Sequence, residues 1–313
     1  MMTARTNLTL GLIIILLVFS TPPIDAEDPA KPGARTDDSY AKEIEKWRTE
    51  RLEEVNGEDG WTSLVGLFWL KEGQNSFGSD PSNDIALPRG SSPRLAGSFR
   101  LDKGVVSLEA RPEAGVTSEG SVVRNLVLNS DGDGKPTLLM LGSLKLFVIK
   151  RGERLGVRVK DKNNPARTNF SGLDNFPLRP DLRINAKFDP YTPPKIIPIV
   201  NVLGMIDPMT SPGVLIFEMN GQSYRLDPVL EKGSKKLFII FADKTNGKET
   251  YGAGRYLYAD PPNSDGSVIL DFNKAHNPSC AFTKFATCPL PPRQNRVAVR
   301  VEAGEKKYAG GGH

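Results

Sequence analysis

The stretch GVLIFEMNGQSYRLDP, residues 213–228, carries the clearest fold signal in the chain. Strand-like runs lie on both sides of Asn220-Gly221. This dipeptide favours the positive backbone angles of a two-residue type I′ turn. The stretch therefore predicts two antiparallel strands joined by a tight hairpin.

Short apolar segments separated by turn residues continue in both directions from this hairpin. The 313 residues include 30 glycines and 25 prolines, which punctuate the chain at no fixed period. Strand-like segments fill two blocks, Phe77 to Lys160 and Leu182 to Val301. We expect a mostly β protein, with a β-sandwich in the first block and a second, β-barrel-like unit in the other.

One segment has helical periodicity instead. Asp38 or Ser39 can cap a helix, and Tyr40, Ile44, Trp47 and Val55 fall near one face of it. The sequence predicts an N-terminal helix from about Tyr40 to Val55, packed on a sheet through this face.

The first residues have the order of a secretory signal. Arg5 precedes the apolar run Leu8–Phe19, and Ile24-Asp25-Ala26 leads into a polar stretch. The apolar run is shorter than the ~20 residues of a spanning helix. We expect cleavage after Ala26 and export to the periplasm or the extracellular space, with no stable membrane span afterwards. An uncleaved membrane anchor is the alternative.

These features predict an order of segments along the chain. They are a signal peptide (1–26), a flexible linker (27–38), the N-terminal helix plus β-sandwich (39–160), a proline-containing linker (161–180), a C-terminal β domain (181–308) and a tail (309–313).

Composition excludes several classes of function. The net charge of +4 is dispersed and aromatic residues make up 8%, so the chain lacks the basic patch of a nucleic-acid-binding protein. The two histidines, His276 and the C-terminal His313, are too few for sites that need two or three histidine ligands. We therefore expect no nucleic-acid partner, no metal and no cofactor.

Cys280 and Cys288 are the two cysteines of the chain. In an exported protein, two cysteines this close in sequence suggest a local disulfide. Two free structural thiols are one alternative. A metal-binding or nucleophilic thiol, with His276 as co-ligand or base, is another.

The segment Lys248–Arg255 suggests a binding site. Gly252 and Gly254 leave room for a ligand or another backbone, and Arg255 has the donor geometry for a carboxylate or phosphate. Alternatively, Arg255 is structural and pairs with an acid such as Asp260.

The candidate ligand-binding residues are Tyr251, Arg255, His276 and Asn277. We expect them to converge with the loop between the two cysteines, because loops held on a rigid sheet commonly carry binding groups. The sequence assigns no catalytic residue.

Several motifs, in order, resemble one family of bacterial and archaeal proteins, called domain of unknown function 1684. The resemblance spans about Tyr40 to Tyr308 and implies no activity. Its motifs are residues 60–70, 77–81, 191–195, 248–255 and 280–292.

The first block also resembles a forkhead-associated sandwich. Residues 75–88 (NSFGSDPSNDIALP) are similar to its opening strand and turn. Ser79 stands where that domain has its phosphate-binding arginine, and Ser91-Ser92-Pro93-Arg94 replaces its Ser-x-x-His element. The resemblance thus implies the sandwich without phosphothreonine binding.

Two functions remain. The favoured one is a non-catalytic envelope protein that binds a small-molecule ligand or an envelope component. The other is a hydrolase or transferase with its site in the C-terminal β domain.

We predict that export removes the first 26 residues, because the order of charge, apolar run and small residue matches a cleavable signal. N-terminal sequencing of the exported protein should begin at Glu27. Recovery of an intact Met1 or Met2 in the membrane fraction would contradict the prediction.

Overall fold

The computed structural model describes residues 1–2 and 38–310. The chain divides into two units, Met1–Arg35 and Thr36–His313, and everything below concerns the second. Residues 3–37, which include nearly all of the predicted signal peptide and linker, lie outside the described residues.

The predicted N-terminal helix is confirmed as α1 (Asp38–Asn56). Its fully buried positions are Ile44, Arg51 and Val55, which lie on one face. The helix ends as the backbone N–H of Gly57 donates to the Glu53 carbonyl at 2.8 Å. The helix therefore buries an arginine among its apolar residues.

In the described part of the chain, residues 64–161 form eleven strands. They are β1 (Leu64–Trp69), β2 (Gly73–Gly78), β3 (Ile85–Ala86), β4 (Gly97–Asp102), β5 (Val105–Ala110), β6 (Thr117–Ser118), β7 (Ser121–Val122), β8 (Asn125–Leu128), β9 (Leu139–Leu141), β10 (Leu144–Arg151) and β11 (Arg154–Asp161). One sheet has the order β1-β11-β10-β9-β6-β7 and the other has the order β3-β2-β4-β5-β8.

These two sheets form the predicted sandwich. They share one apolar cluster that includes Phe77 and Phe99, whose ring centroids lie 4.9 Å apart. Leu155, Val157 and Val159 of β11 belong to this cluster. Because side chains alternate along a strand, Arg158 points away from the sandwich core.

Residues 183–271 form a third sheet with seven strands in the described part of the chain. They are β12 (Arg183–Val200), β13 (Ile206–Met219), β14 (Gln222–Leu226), β15 (Val229–Leu230), β16 (Leu237–Phe241), β17 (Arg255–Ala259) and β18 (Ser267–Asp271). The order is β17-β16-β15-β13-β12-β18, and β14 pairs with β13. The end strands β17 and β18 contact each other, so the sheet curves into a half-barrel.

The hairpin predicted from residues 213–228 is confirmed. Met219 of β13 pairs with Gln222 of β14, and the φ angles of Asn220 and Gly221 are 52° and 71°. Both values are positive, as a type I′ turn requires. The mostly β fold class, with its N-terminal helix and two β units, is likewise confirmed.

The predicted linker, residues 161–180, contains the short helix α2 (Pro165–Thr168). Beyond it, the ring of Phe170 stacks on Tyr308 with centroids 5.2 Å apart. The division into separately folding domains stays a prediction. Within residues 38–310, no helix is long and apolar enough to cross a membrane.

Candidate functional site

A cleft of about 1160 Å³ opens between the sandwich and the half-barrel. Its walls include parts of α1, the β10–β11 hairpin, the β12–β13 hairpin, strands β16 and β17, and the segment from His276 to Pro289. Its lining residues include Trp47, Arg51, Trp61, Arg151, Arg158, Met205, Met209, Tyr256, Tyr258, His276, Asn277 and Cys288. We call this space the cleft.

A smaller cavity of about 650 Å³ lies beside α1, and its two arginines already have partners. Arg48 is bonded to Glu45 and to the Phe176 carbonyl, and Arg51 is bonded to Glu305. The larger cleft is therefore the better candidate site.

His276, one of the predicted site residues, lies in the cleft. Its ring is nearly parallel to that of Tyr258, with centroids 6.0 Å apart, and tilted against Trp47 at 6.1 Å. Its Nδ1 lies 3.1 Å from the Lys274 carbonyl, which can only accept, so Nδ1 carries the proton. Burial, with the Arg51 charge, lowers the pKa of His276 to about 3. The imidazole is thus neutral at neutral pH.

Asn277, the second predicted residue in the cleft, is fixed by a buried network. Arg51 joins the Asn277 carbonyl (2.7 Å) to the Glu305 carboxylate (2.8 Å), and that carboxylate accepts from the Asn277 backbone N–H (2.9 Å). The side-chain Nδ2 donates to the Lys306 carbonyl at 2.8 Å. The buried Oδ1 has no hydrogen-bond partner among the described residues. Asn277 is therefore held in place by the network around it.

Arg255 does not take part in this site, which corrects the prediction. Its side chain is 0% exposed and pairs with Asp243, which is 0% exposed as well. It also donates to the carbonyls of Val301 (2.8 Å) and Ala303 (2.5 Å). No ligand can reach a guanidinium enclosed in this way. The acid suggested from the sequence, Asp260, pairs with Lys236 instead.

The room beside Arg255 is filled by the protein itself. A Cβ placed on Gly254, whose φ is +106°, would lie 2.4 Å from Pro291 Cγ and 2.7 Å from the Phe241 carbonyl. Gly254 therefore allows other parts of the chain to pack closely against it. This is the second of the two roles suggested from the sequence, and it leaves no room for a ligand.

Tyr251, the fourth predicted residue, also lies outside the cleft lining. Its hydroxyl donates to the Cys280 carbonyl at 3.3 Å, and its ring packs against Cys280 and Cys288. Tyr251 thus packs against the cysteine loop on the side away from the cleft.

The predicted disulfide is not formed, because Cys280 and Cys288 are both free, buried thiols. Cys288 Sγ accepts from the Cys280 backbone N–H at 3.0 Å and lies 3.1 Å from Ser279 Oγ. Hydrogen bonds from Cys280 and Ser279 lower the pKa of Cys288, although burial opposes them. The pKa of Cys280 is raised by its hydrogen bond to Cys288 and by burial. The two cysteines are therefore adjacent and joined by the hydrogen bond from the Cys280 backbone N–H to Cys288 Sγ.

Arg158 is the cleft residue that the sequence reasoning missed. Its side chain is 5% exposed and lies over the Trp61 ring, 5.6 Å from the centroid. It makes no hydrogen bond or ion pair with any residue in 38–310, and its Nε is buried without a partner. Burial, with the nearby Arg151, lowers its pKa to about 10, so it stays charged at neutral pH.

The neighbouring arginine of the β10–β11 hairpin has partners of its own. Arg151 pairs with Asp131 at 2.9 Å, and its Nε donates to Thr287 Oγ1 at 3.3 Å. Asp131, whose negative charge acts on Arg158, is therefore already paired with Arg151. The contact with Thr287 also holds the segment before Cys288 against the hairpin.

Comparisons with known proteins find a family match for the C-terminal part of the chain. Residues 168–306 match a family described as "Protein of unknown function (DUF1684)". The solution NMR structure of an uncharacterized protein from Haloarcula marismortui is 33% identical, over 45% of this chain and 78% of that chain, with a TM-score of 0.38. The chain belongs to the DUF1684 family.

Within this DUF1684 chain, the matched residues include His276, Asn277 and both cysteines, while Arg158 lies before them. A structure from a study of phosphothreonine-dependent FHA domain interactions is also similar, at 21% identity over 30% of this chain and 92% of that chain. Its TM-score is 0.22. None of the curated proteins compared matches the sequence.

We predict that Arg255→Ala destabilises the fold by about 3–5 kcal/mol, because it leaves the buried Asp243 carboxylate without its partner. Chemical denaturation of the purified protein measures this loss. Arg300→Ala, which removes an exposed arginine paired with Glu249, is the control and should leave the transition midpoint nearly unchanged. A stable Arg255→Ala protein would contradict the structural role.

Proposed function

We propose that this is an exported, non-catalytic protein that binds a small anionic ligand in the cleft. The observation that carries the proposal is Arg158, a buried arginine that lines the cleft and has no hydrogen-bonded or ion-paired partner among the described residues, although carboxylates such as Glu153 and Glu231 also line the cleft. Export rests on the N-terminal signal sequence.

An unpaired buried cation costs folding free energy, since it has lost water without gaining a partner. Such a cost is commonly retained where the charge serves a ligand. The planar guanidinium donates along two parallel directions, which suits a carboxylate, phosphate or sulfonate. An anion bound at Arg158 would supply the missing partner.

The other cleft residues suggest the remainder of the ligand. The rings of Trp47 and Tyr258 and the side chains of Met205 and Met209 offer apolar walls. Methionine side chains adapt to irregular shapes. We infer a ligand with an anionic group and a flat or apolar body.

The charge state of His276 favours binding over hydrolysis. A general base works best with a pKa near the operating pH, whereas the pKa of His276 is lowered to about 3. A neutral imidazole among aromatic rings is better suited to contact a ligand. A hydrolase or transferase in the C-terminal β unit is therefore the less favoured function.

We predict that Arg158→Met weakens binding of the anionic aromatic probe 8-anilinonaphthalene-1-sulfonate by about tenfold to hundredfold. This is the effect of losing a hydrogen bond to a charged group. Fluorescence titration of the folded protein measures it. Arg100→Met, which removes an exposed arginine of β4, is the control and should leave the affinity unchanged.

The same Arg158→Met substitution should raise the free energy of unfolding by about 1 kcal/mol or more, because methionine fills the site without a buried charge. Urea denaturation measures this gain. A loss of stability together with unchanged probe binding would show that Arg158 is structural and would overturn the proposal. Native mass spectrometry of the purified protein can then search for the natural ligand.

A further inference from the structure

The two free thiols occupy different positions relative to the cleft. Cys288 belongs to the cleft lining, whereas Cys280 does not. Their side chains are 3% and 5% exposed, so large molecules cannot reach them. A reagent small enough to enter the cleft meets Cys288 first.

The surroundings of Cys288 support a thiolate. Its Sγ accepts from the Cys280 backbone N–H at 3.0 Å and lies 3.1 Å from Ser279 Oγ. Hydrogen bonds to the charged form lower a thiol's pKa, and the thiolate is the nucleophile. The positive charge of Arg158 lies in the same cleft.

Cys280 has the opposite character. The adjacent Cys288 thiol, together with burial, raises the pKa of Cys280. A protonated thiol directly beside an attacking thiolate has the position of a resolving cysteine. We therefore expect Cys288 to be the attacking cysteine and Cys280 to be the resolving cysteine.

We propose that Cys288 and Cys280 exchange with an anionic low-molecular-weight disulfide that is held in the cleft by Arg158. This inference rests on the proposed anion-binding function and names a substrate class for the same site. The Arg151 contact to Thr287 keeps the residue before Cys288 against the hairpin that carries Arg158. One bound molecule can thus place its anionic group at Arg158 and its sulfurs at Cys288.

The exchange proceeds in two steps. The Cys288 thiolate attacks one sulfur of the disulfide, a mixed disulfide forms, and the other half leaves as a thiolate that takes the Cys280 proton. The Cys280 sulfur then attacks Cys288 Sγ and releases the second half as a thiolate. The protein dithiol is oxidised by two electrons, and the small disulfide is reduced to two thiol groups, one of them ionised.

In this scheme, the disulfide predicted from the sequence is a reaction product and not a permanent structural bond. It becomes the oxidised product of exchange, and the hydrogen-bonded pair in the structure is the reduced form. Formation of the product also removes the negative charge of Cys288 from the cleft.

The test compares two small disulfides on the reduced, purified protein by intact-mass spectrometry. Oxidised glutathione carries carboxylates, and hydroxyethyl disulfide is neutral. Wild type should form the Cys280–Cys288 disulfide with both reagents. Cys280→Ser should accumulate the mixed disulfide at Cys288, and Cys288→Ser should form none. A mixed disulfide at Cys280 in the latter variant would contradict the order of attack.

Arg158→Met tests the selectivity for the anionic reagent. It should slow the reaction with oxidised glutathione by about tenfold or more and leave the reaction with hydroxyethyl disulfide within about twofold. Melting curves establish that each variant is folded, and unfolded wild type serves as the control for reactive thiols.

The two proposals fail in distinguishable ways. If sulfonate-probe binding depends on Arg158 but the folded thiols resist both disulfides, exchange is overturned and anion binding stands. If the thiols react with both disulfides equally and without regard to Arg158, the anionic substrate class is overturned. If probe binding is also independent of Arg158, the anion site itself is overturned.

Discussion

The buried ion pair between Arg51 and Glu305 is the interaction on which the site depends. Arg51 reaches from α1 to Glu305 near the C-terminus, and both residues bond the backbone of Asn277. Removing one partner of such a pair leaves an uncompensated charge, whereas the complete pair with its extra hydrogen bonds is tolerated. The pair therefore fixes the helix over the segment that carries His276, Asn277 and the cysteines. It also brings Trp47 of the same helix to the cleft.

Arg158 and Arg255 show how the same residue type serves opposite purposes. Arg255 has a carboxylate and two carbonyls around its guanidinium, so its charge is balanced inside the half-barrel. Arg158 is nearly as buried and has none of these. The difference lies in location, since Arg158 projects from the outer face of the sandwich into the space that the half-barrel covers. An unbalanced charge in a cleft is where an external partner fits best.

Local sequence signals predicted the fold well because its helix and hairpins form between residues that are close in the sequence. The turn signal at Asn220-Gly221 and the helical spacing up to Val55 each depend on residues a few positions apart. The hairpin and the helix both appear as predicted. The site was predicted in part. His276 and Asn277 lie in the cleft, but Arg255 was assigned to a ligand because nothing in the sequence marks Asp243 as its partner. Arg158 could not be found from the sequence. It lies on the strand face opposite the sandwich core, which normally faces water, and the residues that bury it are distant in the sequence. Spacing placed the cysteines together but could not fix their redox state.

The central claim, that Arg158 is an anion site awaiting a ligand, is tested most directly by crystallography of the purified protein in bromide. Bromide is an anion whose anomalous scattering identifies its position. The account predicts an anomalous peak in the cleft within hydrogen-bond distance of the Arg158 guanidinium, absent from crystals of the Arg158→Met protein. A guanidinium bonded to a carboxylate of its own chain, with no bromide beside it, would contradict the account.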